Sequence, residues 1–265
     1  MSTSSYAMRD SMTMLRRNLK HARRYPSLTL QVVAMPIVML LLFVFVFGGA
    51  LGTGIGLPGA ANDRGAYVDY VVPGIILMAV TSGAISTAVS VSTDMTEGII
   101  NRFRTMAISR ASVLTGHVVG SVIQTMVSLI LVVAVALAVG FRPHATPAEW
   151  LAALGLLALL AFALTWLAAA MGMVAKTVES ASNAPMPLTF LPFLGSAVVT
   201  PDSMPAGLRW FAEYQPFTPL NETLRGLLLG TEIGNNGVIA LAWGVALALT
   251  GYLWARAAFR RGATR

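Results

Sequence analysis

Residues 92–112 read STDMTEGIINRFRTMAISRAS. This is the only long polar island lying between two stretches that are each apolar enough to cross a bilayer. Asp94 is placed to cap a helix start, and Glu97, three residues on, completes a capping box. Ile99, Ile100, Phe103 and Met106 then share one helical face, while Arg102, Arg104 and Arg110 supply positive charge. The spacing predicts a short amphipathic helix over 94–110 that lies at a membrane surface and offers apolar knobs to something outside this chain.

The composition around the island sets the class. The chain has 265 residues, 56% hydrophobic and only 11% charged, with a mean hydropathy of +0.72. Soluble domains carry roughly a quarter charged residues, so this chain has too little polar surface to coat itself in water. The net charge of +7 does not point to nucleic acid, because the basic residues sit in short juxtamembrane clusters. The chain has no cysteine, and His21, His117 and His144 match no metal-ligand spacing, so no metal site is expected.

Outward from the island, the apolar runs predict six spans: 27–47, 70–91, 112–139, 148–174, a proline-broken 184–200, and 236–257. The first follows a tail with six basic residues and is read as a retained span rather than a cleaved signal. Residues 6–24 repeat Met8, Met12, Leu15 and Leu19 among arginines, the pattern of a cytoplasmic interface helix. The glycine-rich stretch 48–69 reads as an external loop; its G-x-G run follows no strand and carries no nucleotide-binding meaning. Residues 140–147 form an external turn and 175–183 an internal loop. The proline-punctuated stretch 201–235 predicts two short helices near 205–214 and 218–229, on or in the outer leaflet. Asn221-Glu222-Thr223 matches a glycosylation sequon, a short pattern frequent by chance.

Of the 18 Lys and Arg, all but Arg64, Arg142, Arg209 and Arg225 fall on the side of the island and both termini. That side is therefore expected to be cytoplasmic. Tyr25, Tyr70, Trp150, Trp210 and Trp254 fall near span ends, as interfacial aromatics do.

Two polar stripes run along adjacent spans: Ser82, Ser86 and Ser90 on the second, and Ser121, Gln124 and Ser128, with His117, on the third. Small hydroxylated residues let membrane helices pack closely; the other reading is a substrate path. No Asp, Glu, Lys or Arg lies mid-span, which disfavours ion-coupled transport and paired-carboxylate or metal chemistry. Only two lysines occur, and GMVAKT around Lys176 lacks the glycines of a phosphate-cradling loop. Energy for uphill transport would have to come from another polypeptide touching the island.

These features resemble a family. The Glu97-Gly98-Ile99-Ile100 run, Arg102-Phe103-Arg104 and Ser109-Arg110, with YQPFTPLNETLRGL before the last span, resemble ABC-type export permeases of the type 2 class. Within that class they look like daunorubicin-resistance-type permeases of actinobacteria. Asn101 departs from the pattern, where an acidic residue is expected. The resemblance implies an all-α membrane protein with a single permease domain over 1–265 and 94–110 as its coupling helix. It implies a dimer, with a second copy or a close relative, and two separately encoded ATP-binding subunits that hold the ATP and Mg; this chain itself would bind no cofactor. It implies membrane lipids around the chain, no nucleic acid, and export of an amphiphilic drug, antibiotic or lipid-like substrate. The alternative is a lipid-modifying or assembly protein without ATP coupling, with Glu213, Glu222 and Arg225 as its chemical groups.

Overall fold

The structure, a computed structural model, describes residues 26–48, 64–96 and 110–261. The expected interface helix over 6–24, most of the 48–69 loop and residues 97–109 of the island lie outside the described residues. Those that are described form helices and turns, with no strand among them.

Helix α1 spans Pro26–Leu41, carries Pro36 inside it, and runs on as a wider π-helical segment over Leu42–Phe47. Helix α2 spans Arg64–Thr96 and has 33 residues, about 50 Å at 1.5 Å per residue. It therefore exceeds the roughly 30 Å of a hydrocarbon core. Every residue from Val71 to Val80 is buried. A helix that is apolar on all sides must be surrounded on all sides, and α2 is the mast around which the rest is wrapped.

Helices α3 (Arg110–Val139) and α4 (Pro147–Val174) follow. The turn between them lets α4 begin at a reciprocal cap: Glu149 N–H donates to Thr146 Oγ1, and Thr146 N–H donates to Glu149 Oε2 at 2.6 Å. Short helices α5 (Val178–Asn183) and α6 (Met186–Phe190) come next, then a series of turns to residue 199. Helices α7 (Ala206–Tyr214) and α8 (Phe217–Leu229) precede α9 (Asn236–Arg261). Gly230 ends α8 in the left-handed region, at φ 75°.

Among the described residues, four helices are long and apolar enough to cross a membrane: Gly65–Thr96, Thr115–Val139, Pro147–Val174 and Asn236–Arg260. Val33–Phe47 is a shorter apolar helix. The proline-broken stretch 184–200 is not a continuous helix; Pro185, Pro187 and Pro192 remove amide donors and leave one short helix and turns. Even so, this stretch travels along α2. Gly172, near the end of α4, abuts the Ala88 backbone, whereas Ala197, at the far end of the stretch, abuts Gly74. Fourteen residues of α2 separate those contacts, a climb of about 21 Å.

Two boundaries differ from the sequence reading. Helix α2 begins at Arg64, so the expected external loop gives up its last residues to it. It also continues through Thr96, so Asp94 lies inside the last turn of a helix rather than before the first turn of one. The internal loop 175–183 contains α5, capped by reciprocal bonds between Thr177 and Ser180.

Candidate functional site

The polar island is rooted in α2 and α3. At that root His117 Nε2 lies 2.9 Å from Asp94 Oδ2, and both residues are buried, at 6% and 7% exposure. With Asp94 ionised, the ring N–H donates to the carboxylate. This explains why the helix persists past the expected boundary: the carboxylate finds a partner on α3 instead of capping a new helix. Next to His117, Val118 packs with Trp166, Ala170 and Ala255 from α4 and α9, so the pair sits on a four-helix junction. Both residues are conspicuous in the sequence, but their pairing across 23 residues depends on the relative register of two helices. Of the residues expected to contact a partner, only Asp94 is described; Glu97, Gly98, Ile99, Ile100, Arg102, Phe103, Arg104 and Met106 lie outside the described residues.

The two polar stripes behave differently. Ser82 Oγ donates to Met78 O at 3.0 Å, and Ser128 Oγ donates to Gln124 O at 2.9 Å, each within its own helix. Between them, a Cβ on Gly83 would collide with Thr125 Oγ1, so α2 and α3 approach closely here. Ser86, Ser121 and Gln124 are half-buried and Ser90 is exposed.

At the other end of α2 a polar hub joins three parts of the chain. The Ser196 carbonyl accepts from Tyr70 OH at 3.2 Å, Asn221 Nδ2 at 2.9 Å and Arg225 Nη2 at 2.9 Å. Arg225 also donates to Tyr70 O at 3.1 Å and Glu222 Oε1 at 2.7 Å, and its guanidinium lies 4.0 Å above the Tyr70 ring. The planar fork of arginine suits this many-sided task. Arg225 and Tyr70 are thus buried within the fold rather than facing solvent or headgroups. Asn221 is 1% exposed and bound to Ser196, so the sequon asparagine is closed to modification in the folded chain. The sequence marks Tyr70, Asn221, Glu222 and Arg225 singly but not their meeting, because the acceptors that join them are mostly backbone carbonyls.

Glu213 belongs to a different cluster. Arg209 Nε donates to Glu213 Oε1 at 2.7 Å on the exposed helix α7, and Arg209 also pairs with Asp202. The Glu213 hydrogen bond, then the charges of Asp202 and Glu213, hold the Arg209 guanidinium above its ordinary pKa. Glu213, Glu222 and Arg225 are therefore divided between two ion-paired clusters rather than gathered at one catalytic centre. Among the described residues, no three His, Asp or Glu side chains converge as a metal site.

Between α2, α3, α4 and α8 lies a nearly wholly apolar cavity of about 340 Å³, lined by Ile76, Met126, Val133, Trp150, Leu157 and Leu224 among others. The chemistry on view is therefore packing and hydrogen bonding. It can hold apolar matter.

Comparison with known proteins points the same way. The profile of a family described as ABC-2 type transporter matches residues 10–229. The chain is 28% identical over 226 residues to the daunorubicin resistance ABC transporter permease protein DrrB1 of Streptomyces coeruleorubidus. That alignment covers 85% of this chain and 77% of the relative.

Proposed function

The chain belongs to the ABC-2 type transporter family, and from that premise we propose that it is the permease half of an ATP-driven exporter. It is a multi-pass membrane protein, and the permease role carries no chemistry of its own. The finer reading has six crossings. α1, the four long helices and the stretch 184–200 alternate in direction, with both termini and residues 97–109 in the cytoplasm. The contacts along α2 support that count, since Ala88 meets Gly172 near the end of α4 and Gly74 meets Ala197 near the end of the broken stretch. The excess of Lys and Arg on one side supports the orientation.

In this reading two separate ATP-binding subunits hold ATP and Mg and seat the 97–109 segment, with Glu97, Arg102 and Phe103 at the contact, while Asp94 stays buried at the end of α2. Two permease copies form the path. The cargo is an amphiphile: a drug, an antibiotic or a lipid-like molecule. An anthracycline is the first compound to try, because the DrrB1 relative is named for daunorubicin resistance. The observation that carries the reading is the family match across most of a chain that has no phosphate-binding loop of its own.

The test is reconstitution with the cognate ATP-binding subunit in inside-out vesicles. ATP should drive uptake of daunorubicin or another amphiphile, and replacing residues 97–109 by a glycine–serine linker of equal length should abolish it. Transport that survives the replacement would overturn the assignment of that segment. Uptake without any ATP-binding subunit would overturn the energy source.

A further inference from the structure

We propose that Asp94 and His117 form a permanent clasp that makes the inner ends of α2 and α3 move as one lever. The proposal rests on the exporter reading and adds to it the element that carries force out of the 97–109 segment.

Asp94 lies two residues before the end of α2, and His117 lies two turns into α3. Together they bracket the polar island, so a push on the island reaches both helices at their roots. Without a cross-tie, the ends of two neighbouring helices can splay, and a push is lost in bending. The 2.9 Å contact is such a tie.

Burial makes it a lasting one. The side chains are 7% and 10% exposed, so opening the pair would take from Asp94 a buried contact that little water is at hand to replace. That penalty is far larger than the loss of an exposed ion pair. The tie is also seated in the frame: Val118 beside it packs with Trp166 and Ala170 of α4 and with Ala255 of α9. A displacement of the clasp is therefore passed directly to two further membrane helices. Farther along, α2 and α3 meet again where Gly83 abuts Thr125, so the lever is fixed at two heights. Asp94 and His117 are positioning residues in this account; neither touches cargo or nucleotide.

The experiment uses the full complex in proteoliposomes. It measures expression, recovery of the ATP-binding subunit with the permease, ATP hydrolysis, and cargo moved per ATP hydrolysed. Asp94→Ala and His117→Ala should keep partner binding and hydrolysis but lower cargo moved per ATP about fivefold or more, the low end of coupling between sites. Because the two act as a pair, Asp94→Ala/His117→Ala should lose no more than the worse single variant. His117→Gln, which keeps an N–H to donate to Asp94, should recover most of the loss.

The clasp is overturned if either alanine variant moves cargo per ATP as the unaltered chain does. It is overturned also if the two losses multiply in the double variant. If both alanine variants fail to accumulate, His117→Gln decides. Well-folded His117→Gln with normal cargo per ATP upholds the tie, and well-folded His117→Gln with uncoupled hydrolysis overturns it. An unaltered complex that moves cargo without ATP would instead count against the exporter reading, so the two failures are told apart.

Discussion

Removing the Arg225 guanidinium takes away one of the donors to the Ser196 carbonyl and leaves Glu222 without its cation. Arg225→Ala is expected to destabilise the chain by about 3 kcal/mol, the lower end for breaking a buried ion pair, because Glu222 keeps some access to solvent. Unfolding in detergent, followed by denaturant or heat, measures this. Arg225→Lys should recover only part of it, since a point charge cannot serve the Tyr70 and Ser196 carbonyls and the Glu222 carboxylate together. By contrast, Ser82→Ala and Ser128→Ala each lose one bond within a helix. Each should cost less than about 1 kcal/mol and leave transport unchanged. A transport defect in a well-folded Ser82→Ala or Ser128→Ala chain would return those hydroxyls to the substrate path. At this scale the sequence marked the right residues and missed their partners. Asp94 reads as a helix cap, His117 as part of a polar stripe, and Arg225 as an external cation. Which atoms they meet is decided by helix register and by carbonyls at Tyr70 and Ser196, neither of which has a side-chain signature.

Among the elements, the seam between α2 and the broken stretch is the most exacting. A Cβ on Gly74 would lie 2.5 Å from the Ala197 Cβ and 2.7 Å from the Ala197 carbonyl oxygen. Gly74→Ala must wedge the stretch off the mast, at a cost of about 1–3 kcal/mol. Gly155 faces open space on α4, and Gly155→Ala should be neutral or stabilise by up to about 1 kcal/mol. Paired melting curves in one detergent compare the two directly, and a Gly74→Ala chain as stable as the parent would refute the seam. Hydropathy found the long helices because an unbroken apolar run of roughly 20 residues matches the thickness of a bilayer core. It also placed α7 and α8 to within two residues, since Pro205 and Pro216 punctuate them. It misjudged both ends of α2. Ala66, Tyr67 and Val68 looked like the tail of a glycine-rich loop, and Thr93 to Thr96 like the head of a surface helix. Tertiary burial of Tyr67, Val68 and Asp94 carries the helix through both.

For the molecule as a whole, sidedness has a direct test, because the chain contains no cysteine. Arg225 is too deeply covered to report on it. Thr231 and Lys176 are exposed at the two ends of the bundle. In intact cells an impermeant maleimide should label Thr231→Cys, and it should label Lys176→Cys only after the membrane is opened. The reverse pattern would invert the orientation inferred from the basic residues and place the island outside. The asymmetry of 14 cations against four is a statistical preference of insertion rather than a contact, and so lies outside what packing can decide.

The mast and the outermost helix also face different selective regimes. Val71–Val80 touch protein on every side, so almost any change of volume there must be absorbed by a neighbour. On α9, Val238, Leu241, Val245 and Leu249 point away from the bundle, at 74%, 53%, 48% and 57% exposure. Their surroundings ask only that they be oily. A saturation library screened for surface abundance should therefore tolerate interchange of Val, Ile, Leu, Met and Phe at those four sites and reject most of it along 71–80. Drift would accumulate in such proteins as a rind, and their shared ancestry would be preserved in the pith.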